Sequence, residues 1–300
     1  ALQLDGGEAL AMREHPHDLW LAAADERHLL LGLAGCPNDA PLARIEAAQA
    51  VELVRQLLLL FLELATPEQS RMRQLLAQLP ASELLQRLQA RLDFPLQPPT
   101  ADRQTPAGVE RAPAGIYPQA RAGLCMVVAG AQLGRLHAEQ LLALAELSER
   151  HAGGELRLTP WQGLLLGNVP QAEAATLCNA LGELGLLHEA GDPLLGLVAC
   201  TGSAACARGL ADSKHHALHL AELLRANGAR PQAHLSACPR SCASARVQPY
   251  TLLASTPDHY QLYQRTPEVT GFGRLLVPSM TIDEAGAWFA RHLPAGLPDA

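Results

Sequence analysis

Four of the seven cysteines fall in two tight pairs, Cys200 and Cys206 in CTGSAAC, then Cys238 and Cys242 in CPRSC, with 31 residues between the pairs. Four thiolates on two short loops can surround one iron–sulfur cluster, because each close pair supplies neighbouring corners and the intervening segment brings the loops together. Zinc is the chemical rival, but its ligand pairs are usually about two to four residues apart. The five-residue gap in the first pair leans toward a cluster, and structural thiols are the third option. Gly202, Ser203, Ala204, Ala205, Ser241 and Ala243 keep side-chain bulk away from the ligands and leave backbone amides able to approach the sulfurs. Cys36, Cys125 and Cys178 stand alone in apolar surroundings and read as buried packing residues. Seven cysteines, unevenly placed, do not make a disulfide scaffold and point to a reducing compartment, the cytoplasm.

The remaining chain must support that site. Its 300 residues, 48% of them hydrophobic and 18% charged, suffice for two or three packed modules. A net charge of −7 gives no field to attract nucleic acid or an anionic membrane. The most apolar stretch, Val51 to Leu64, is interrupted by Glu52, Arg55 and Glu63 and is shorter than the ~20 residues of a bilayer span. It reads as a buried helix. No charged-then-apolar leader opens the sequence, and Ala1 stands where an initiator Met is expected, which points to a processed or truncated chain.

Periodicity divides the chain into modules. Short apolar runs from Leu2 to Leu33, separated by turn signals such as Asp5-Gly6-Gly7, suit strands. Pro41 opens a long helical pattern that ends before Thr66-Pro67, and a second runs from about Glu68 to Leu92 with a break at Pro80. Asp93 to Pro113 holds five prolines and reads as a linker or surface crossover. A β-α-β-α-β order follows: a strand at Gly123–Ala131, a helix at His137–His151, strand pieces at Glu155–Leu158 and Leu164–Leu166, a helix at Gln171–Leu184, and strand-like Gly185–His188. The last module starts at Leu195–Ala199 and continues with a helix from about Ala207 to Ala226, stopped by Asn227-Gly228. Strands at Gln232–Leu235, Tyr250–Ala254 and His259–Gln264 and a helix at Ile282–His292 complete it. Both cysteine pairs therefore fall on loops at strand ends.

The phrases ACTGSAACARGLADSK at Ala199–Lys214 and HLSACPRSCA at His234–Ala243 resemble the cluster domain of the sulfite and nitrite reductase hemoprotein family. GIYPQ at Gly115–Gln119, LGRLHAEQLLALAELSERH at Leu133–His151 and ELRLTPWQGLLL at Glu155–Leu166 resemble its ferredoxin-like half-domain. The resemblance implies an α+β fold: a degenerate cluster-type domain without a cluster over residues 1–92, a linker over 93–113, a ferredoxin-like half-domain over 114–190, and a 4Fe-4S domain over 191–300. A first half-domain is expected to be missing from this stretch. RLTPWQ at Arg157–Gln162 resembles the corrin-making branch of the family, the precorrin-3B synthases. That branch implies oxygen-dependent hydroxylation of precorrin-3A with lactone closure, one 4Fe-4S cluster, a mononuclear non-heme iron, and reduced nicotinamide or a reductase as electron source. The alternatives are a siroheme-dependent sulfite or nitrite reductase, in which Cys242 would bridge the cluster and the siroheme iron, and a non-enzymatic electron-transfer module.

Other residues carry weaker signals, and none is assigned a catalytic role. Arg157 and Gln162 can face tetrapyrrole carboxylates, although a strand-end salt bridge or turn explains them as well. Lys214 and Arg240 stand near ligand cysteines and can offset cluster charge or touch substrate carboxylates, or lie solvated. His234 can ligate iron or carry a proton, but a hydrogen-bonded strand histidine is the simpler reading. His215, His216 and His219 read as a solvated helix face, with only His215 and His219 at i, i+4 spacing. No glycine-rich dinucleotide fingerprint follows a strand, so a nicotinamide would act through a partner.

Overall fold

The computed structural model describes residues 1–8, 12–99, 114–244 and 247–293. The chain divides into two compact units, Ala1–Arg111 and Ala112–Ala300. Among the described residues no helix is long and apolar enough to cross a membrane.

The first unit is a four-stranded sheet, β1 (Leu2–Asp5), β2 (His17–Ala23), β3 (His28–Gly35) and β4 (Ala43–Glu46), covered by α1 (Ala50–Leu64), α2 (Met72–Leu76) and α3 (Ala81–Gln89). β1 and β2 are parallel, and the other two pairings are antiparallel. Leu53, Leu57 and Leu60, at helical spacing, bury one face of α1 against Leu19, Leu21, Leu31 and Ile45 of the sheet. The helix expected from Pro41 therefore begins late. Ala43 and Ile45 are buried while Arg44 and Glu46 are not, the period-2 signature of a strand, and this stretch pairs with β3. The expected linker also begins as packed structure: Phe94 and Leu96 lie against the core, and Gln97 exchanges backbone hydrogen bonds with Arg44. Residues 100–113, the rest of that linker, lie outside the described residues.

The second unit opens with β5 (Gly115–Pro118), β6 (Leu124–Gly130), α4 (Ala138–His151), β7 (Arg157–Thr159), β8 (Gly163–Pro170) and α5 (Ala174–Glu183). Its antiparallel sheet has the order β5-β6-β8-β7, with Val127, Ala129, Leu164 and Leu166 packed on Leu144, Leu177 and Leu181 of the helices. The observed order is β-β-α-β-β-α; Gly185–His188 contributes only a bridge from Leu187 to Gly130. β5 escapes the sequence reading because it is a four-residue edge strand ending in Pro118, where a missing N–H is tolerated.

The C-terminal part of this unit contains β9 (Leu197–Ala199), α6 (Ser213–Asn227), β10 (Ala233–Ser236), β11 (Tyr250–Ala254), β12 (Tyr260–Gln264), β13 (Arg274–Met280) and α7 (Ile282–His292). The sheet order is β13-β12-β11-β10-β9, parallel across β9, β10 and β11 and antiparallel beyond. Ala217, Leu220, Ala221 and Leu224 of α6 pack with Phe289 of α7 on Leu235, Leu252, Tyr260 and Leu262. β13 is an edge strand containing Pro278, which hides it as Pro118 hides β5. The helix expected from Ala207 starts instead at Ser213, where the Asp212 side chain caps it by accepting the His215 N–H; residues 203–212 form turns. Gly228, with φ 80°, ends it as the sequence predicts.

The parallel pairing of β9 with β10 depends on Gly196, whose added Cβ would run into the Pro231 carbonyl two residues before β10. Gly196→Ala is expected to destabilise the second unit by about 1–3 kcal/mol through overpacking. A urea titration followed by circular dichroism reads this; an unchanged midpoint would show that the strands can separate without cost.

Candidate functional site

Cys200 follows the last residue of β9, and Cys238 lies two residues past β10. Because β9 and β10 are parallel neighbours, both cysteines leave the sheet at one edge, the carboxyl ends of the strands. Backbone bonds tie the two loops together: Cys200 N–H donates to the Leu235 carbonyl at 3.3 Å, and Leu210 N–H to the Ala237 carbonyl at 3.0 Å. Ala237 N–H points at Cys200 Sγ from 3.2 Å. All four cysteines are free thiols; Cys206 and Cys242 are exposed, Cys200 and Cys238 half-buried.

The first loop coils on itself through glycine. Cys206 N–H bonds the Gly202 carbonyl and Gly209 N–H bonds the Cys206 carbonyl, each at 2.9 Å. Gly202 has φ 70°, and a Cβ there would lie 2.6 Å from both the Ala211 carbonyl and the Ser213 nitrogen. Gly209 presses equally closely on the backbone of Gly202 and Ser203. Any larger residue would open this loop and separate Cys200 from Cys206. In the second loop Ser241 takes φ 54°, a left-handed conformation uncommon outside glycine. It is held from below: Ser241 Oγ lies 3.3 Å from His234 Nδ1, and Ser236 Oγ donates to the Cys238 carbonyl at 2.7 Å.

His234 is thus a strand histidine beneath the loop. It is 1% exposed, and its Nε2 has no hydrogen-bond partner among the described residues. Burial pushes its pKa down to about 4. The triplet on α6 is less uniform than its spacing suggests. His216 Nδ1 is 2.8 Å from the hydroxyl of buried Tyr260, His219 meets Asp283 of α7 at 3.0 Å, and His215 is exposed.

Lys214 projects from the first turn of α6 and donates from Nζ to the Leu133 carbonyl at 2.5 Å. Desolvation, then the nearby Arg135 charge, lower its pKa, while a charge on Cys200 opposes them. Leu133 sits in a tight turn at φ 48°, and the side chain of Gln162 (φ 61°) packs over the neighbouring Gly134. Gln162 and Lys214 therefore converge on the same turn. Arg157 does not join them; it is exposed and holds Glu155 Oε1 at 2.6 Å, the strand-end salt bridge. Arg240 is exposed on the second cysteine loop.

Ser213, Ala237, Leu133 and Arg135 are the parts that sequence reasoning passed over. Ser213 alone carried a readable signal, as a small hydroxyl residue between a capping Asp212 and Lys214. Desolvation raises the pKa values of Cys36, Cys125 and Cys178; Cys125 is buried in the half-domain core and Cys178 packs partly buried against it, whereas Cys36 is half-buried and outside the core clusters, contrary to the packing expected of all three.

Among the described residues no three His, Cys, Asp or Glu side chains gather as they would around a single metal ion. The expected mononuclear iron site finds no support there. Zinc would draw four sulfurs to about 2.3 Å from one ion, whereas a cluster with iron at each corner takes one thiolate per iron on a wider frame. Four free thiols on two loops that leave neighbouring strand ends are the donor set a cluster of that kind would take.

Comparison with known proteins agrees with this architecture. Residues 117–184 match the nitrite/sulfite reductase ferredoxin-like half domain. The chain is 35% identical over 147 residues to ferredoxin–nitrite reductase of Synechococcus elongatus, covering 47% of this chain and 28% of that protein. It is 34% identical over 141 residues to the chloroplastic ferredoxin–nitrite reductase of Spinacia oleracea, covering 44% and 23%. To sulfite reductase [ferredoxin] 2 of Mycolicibacterium paratuberculosis it is 26% identical over 219 residues, covering 67% and 38%. The solved structure of the Mycobacterium tuberculosis NirA protein superimposes with a TM-score of 0.72 at 20% identity, over 95% of this chain and 59% of that one. The chain thus spans well under half the length of these curated relatives. Its fold is the α+β fold seen in NirA.

Because His234 is buried with a depressed pKa, the unfolded chain binds its proton first as pH falls. Stability of the second unit should therefore be full above about pH 6.5 and decline toward about pH 4, by roughly 1–3 kcal/mol. Urea midpoints at pH 7 and pH 5 read the slope, and His234→Gln should remove most of it. An equal slope in that variant would place the titrating group elsewhere.

Proposed function

We propose that the second unit holds one 4Fe-4S cluster on Cys200, Cys206, Cys238 and Cys242, and that the chain is the cluster-bearing part of an oxidoreductase working at a large tetrapyrrole. The observation that carries this reading is the pair of loops leaving adjacent parallel strands, with Ala237 N–H already directed at Cys200 Sγ. A 4Fe-4S cluster supplies electrons one at a time at a potential set by its surroundings. The protein's part is to hold the thiolates at fixed spacing and to offer amide and hydroxyl donors to sulfur. It also places Lys214 within electrostatic reach of Cys200, where its cationic charge offsets the thiolate. Half-domain and cluster loops meet through the Lys214 contact with Leu133, and the tetrapyrrole would lie against this junction.

Similarity to ferredoxin–nitrite reductases supports siroheme-dependent reduction of nitrite or sulfite, with electrons from an external one-electron donor. A second reading rests on a specific phrase, Thr159-Pro160-Trp161 before Gln162, which resembles the precorrin-3B synthases. In that reading molecular oxygen hydroxylates precorrin-3A, a lactone closes to give precorrin-3B, and reduced nicotinamide supplies electrons through a reductase. The first unit would serve either enzyme as a cluster-type domain that has lost its ligands: residues 6–16, between β1 and β2, contain no cysteine. The thiols suit a reducing compartment, which favours the cytoplasm.

Anaerobic purification of the full-length protein with iron, sulfide and heme analysis tests these readings. About four irons and four sulfides per chain are expected, and each of Cys200→Ser, Cys206→Ser, Cys238→Ser and Cys242→Ser should abolish them. A variant that kept its full complement would remove that residue from the ligand set. Extractable siroheme with nitrite or sulfite turnover supports the first activity; heme-free protein that converts precorrin-3A under oxygen supports the second. Cluster content with neither turnover would leave an electron-transfer module.

A further inference from the structure

Cys200 differs from the other three cysteines in what surrounds its sulfur. Ala237 N–H approaches Sγ at 3.2 Å, and Ser213 Oγ stands at the same distance. Ser213 is completely buried, and its Oγ is also 2.9 Å from the Cys200 carbonyl. A hydroxyl has one proton and two lone pairs. With Cys200 as a free thiol, Sγ–H donates to Ser213 Oγ while the serine proton goes to the carbonyl. A ligating Cys200 is a thiolate with no proton to give, so Ser213 becomes the only possible donor across the 3.2 Å contact.

The surroundings keep the hydroxyl in that position. Ser213 is the first residue of α6, anchored by the Asp212 cap. A Cβ on Gly202 would come within 2.8 Å of Ser213 Oγ, so glycine at 202 leaves the room that the hydroxyl occupies. Lys214, next in sequence, is fixed on the Leu133 carbonyl and restrains the same turn of helix. Two donors thus aim at one sulfur: the amide of Ala237, just past β10, and the hydroxyl at the start of α6. Hydrogen bonds to a ligand thiolate draw charge away from the cluster, favour its reduced form and raise its potential.

We infer that Ser213 is a positioning residue that sets the cluster's potential, by donating its hydroxyl hydrogen bond to Cys200 Sγ alongside the Ala237 amide. This rests on the reading that the four cysteines hold a 4Fe-4S cluster. Iron and sulfide content of the unaltered full-length protein tests that reading separately, before any variant is compared.

The inference itself is tested with Ser213→Ala and Ser213→Thr, purified anaerobically and titrated with EPR detection of the reduced cluster. Ser213→Ala should retain iron and sulfide. At a fixed poise its ratio of reduced to oxidised cluster should fall about three- to tenfold, a downward shift of about 30–60 mV for one electron. Ser213→Thr, which keeps the hydroxyl, should recover most of the difference. A Ser213→Ala potential equal to that of the unaltered protein would overturn the inference, leaving Ser213 to bond only the carbonyl. Should Ser213→Ala lose its cluster, Ser213→Gly is measured the same way. Loss of iron and sulfide in both would also overturn it, because the residue would then serve retention of the cluster and not its potential.

Discussion

Parallel pairing of β9 with β10 is the constraint on which the site depends. Two neighbouring strands running the same way release their chains at the same edge, so cysteines 38 positions apart in sequence emerge side by side. Parallel neighbours require a crossover, and α6 supplies it, burying Ala217, Leu220, Ala221 and Leu224 against the sheet. The same helix brings Ser213 and Lys214 to the first cysteine. One topological device thus spaces the thiols and furnishes their polar surroundings.

The cost of that arrangement is visible in the backbone. Ser241 between the second pair, Leu133 beneath Lys214 and Gln162 beside Gly134 all occupy the left-handed region without being glycine. Each such residue costs of order 1 kcal/mol or more and persists only where its surroundings determine it. All three lie where a loop must turn sharply toward the cysteine edge or the junction with the half-domain. Where the approach is closest, at Gly202 and Gly209, the sequence uses glycine instead.

The strand ends that carry the four cysteines and α7 at Ile282–His292 are legible in sequence because turn residues and helical periodicity are local signals. The start of α6 was not. From Ala207 the composition is helix-compatible, yet the backbone is committed to turns that hold Cys206 against Gly202, a demand of the cysteine loop that propensity does not register. β4 was lost for the opposite reason: four alternating residues were absorbed into the stronger periodicity of α1. Ser213 and Ala237 were invisible because each acts across the gap between loops. Their partner, Cys200, lies 13 and 37 positions away.

The first unit shows how the same frame reads without the ligands. Its strands run parallel, antiparallel, antiparallel from β1 to β4 and are followed by α1, which is the sequence of pairings from β10 to β13 followed by α7. The segment between β1 and β2 therefore occupies the topological place of the loop that carries Cys238 and Cys242. It holds no cysteine. Fold alone consequently cannot assign the chemistry: two units that share this run of pairings differ in the side chains carried on the corresponding loop.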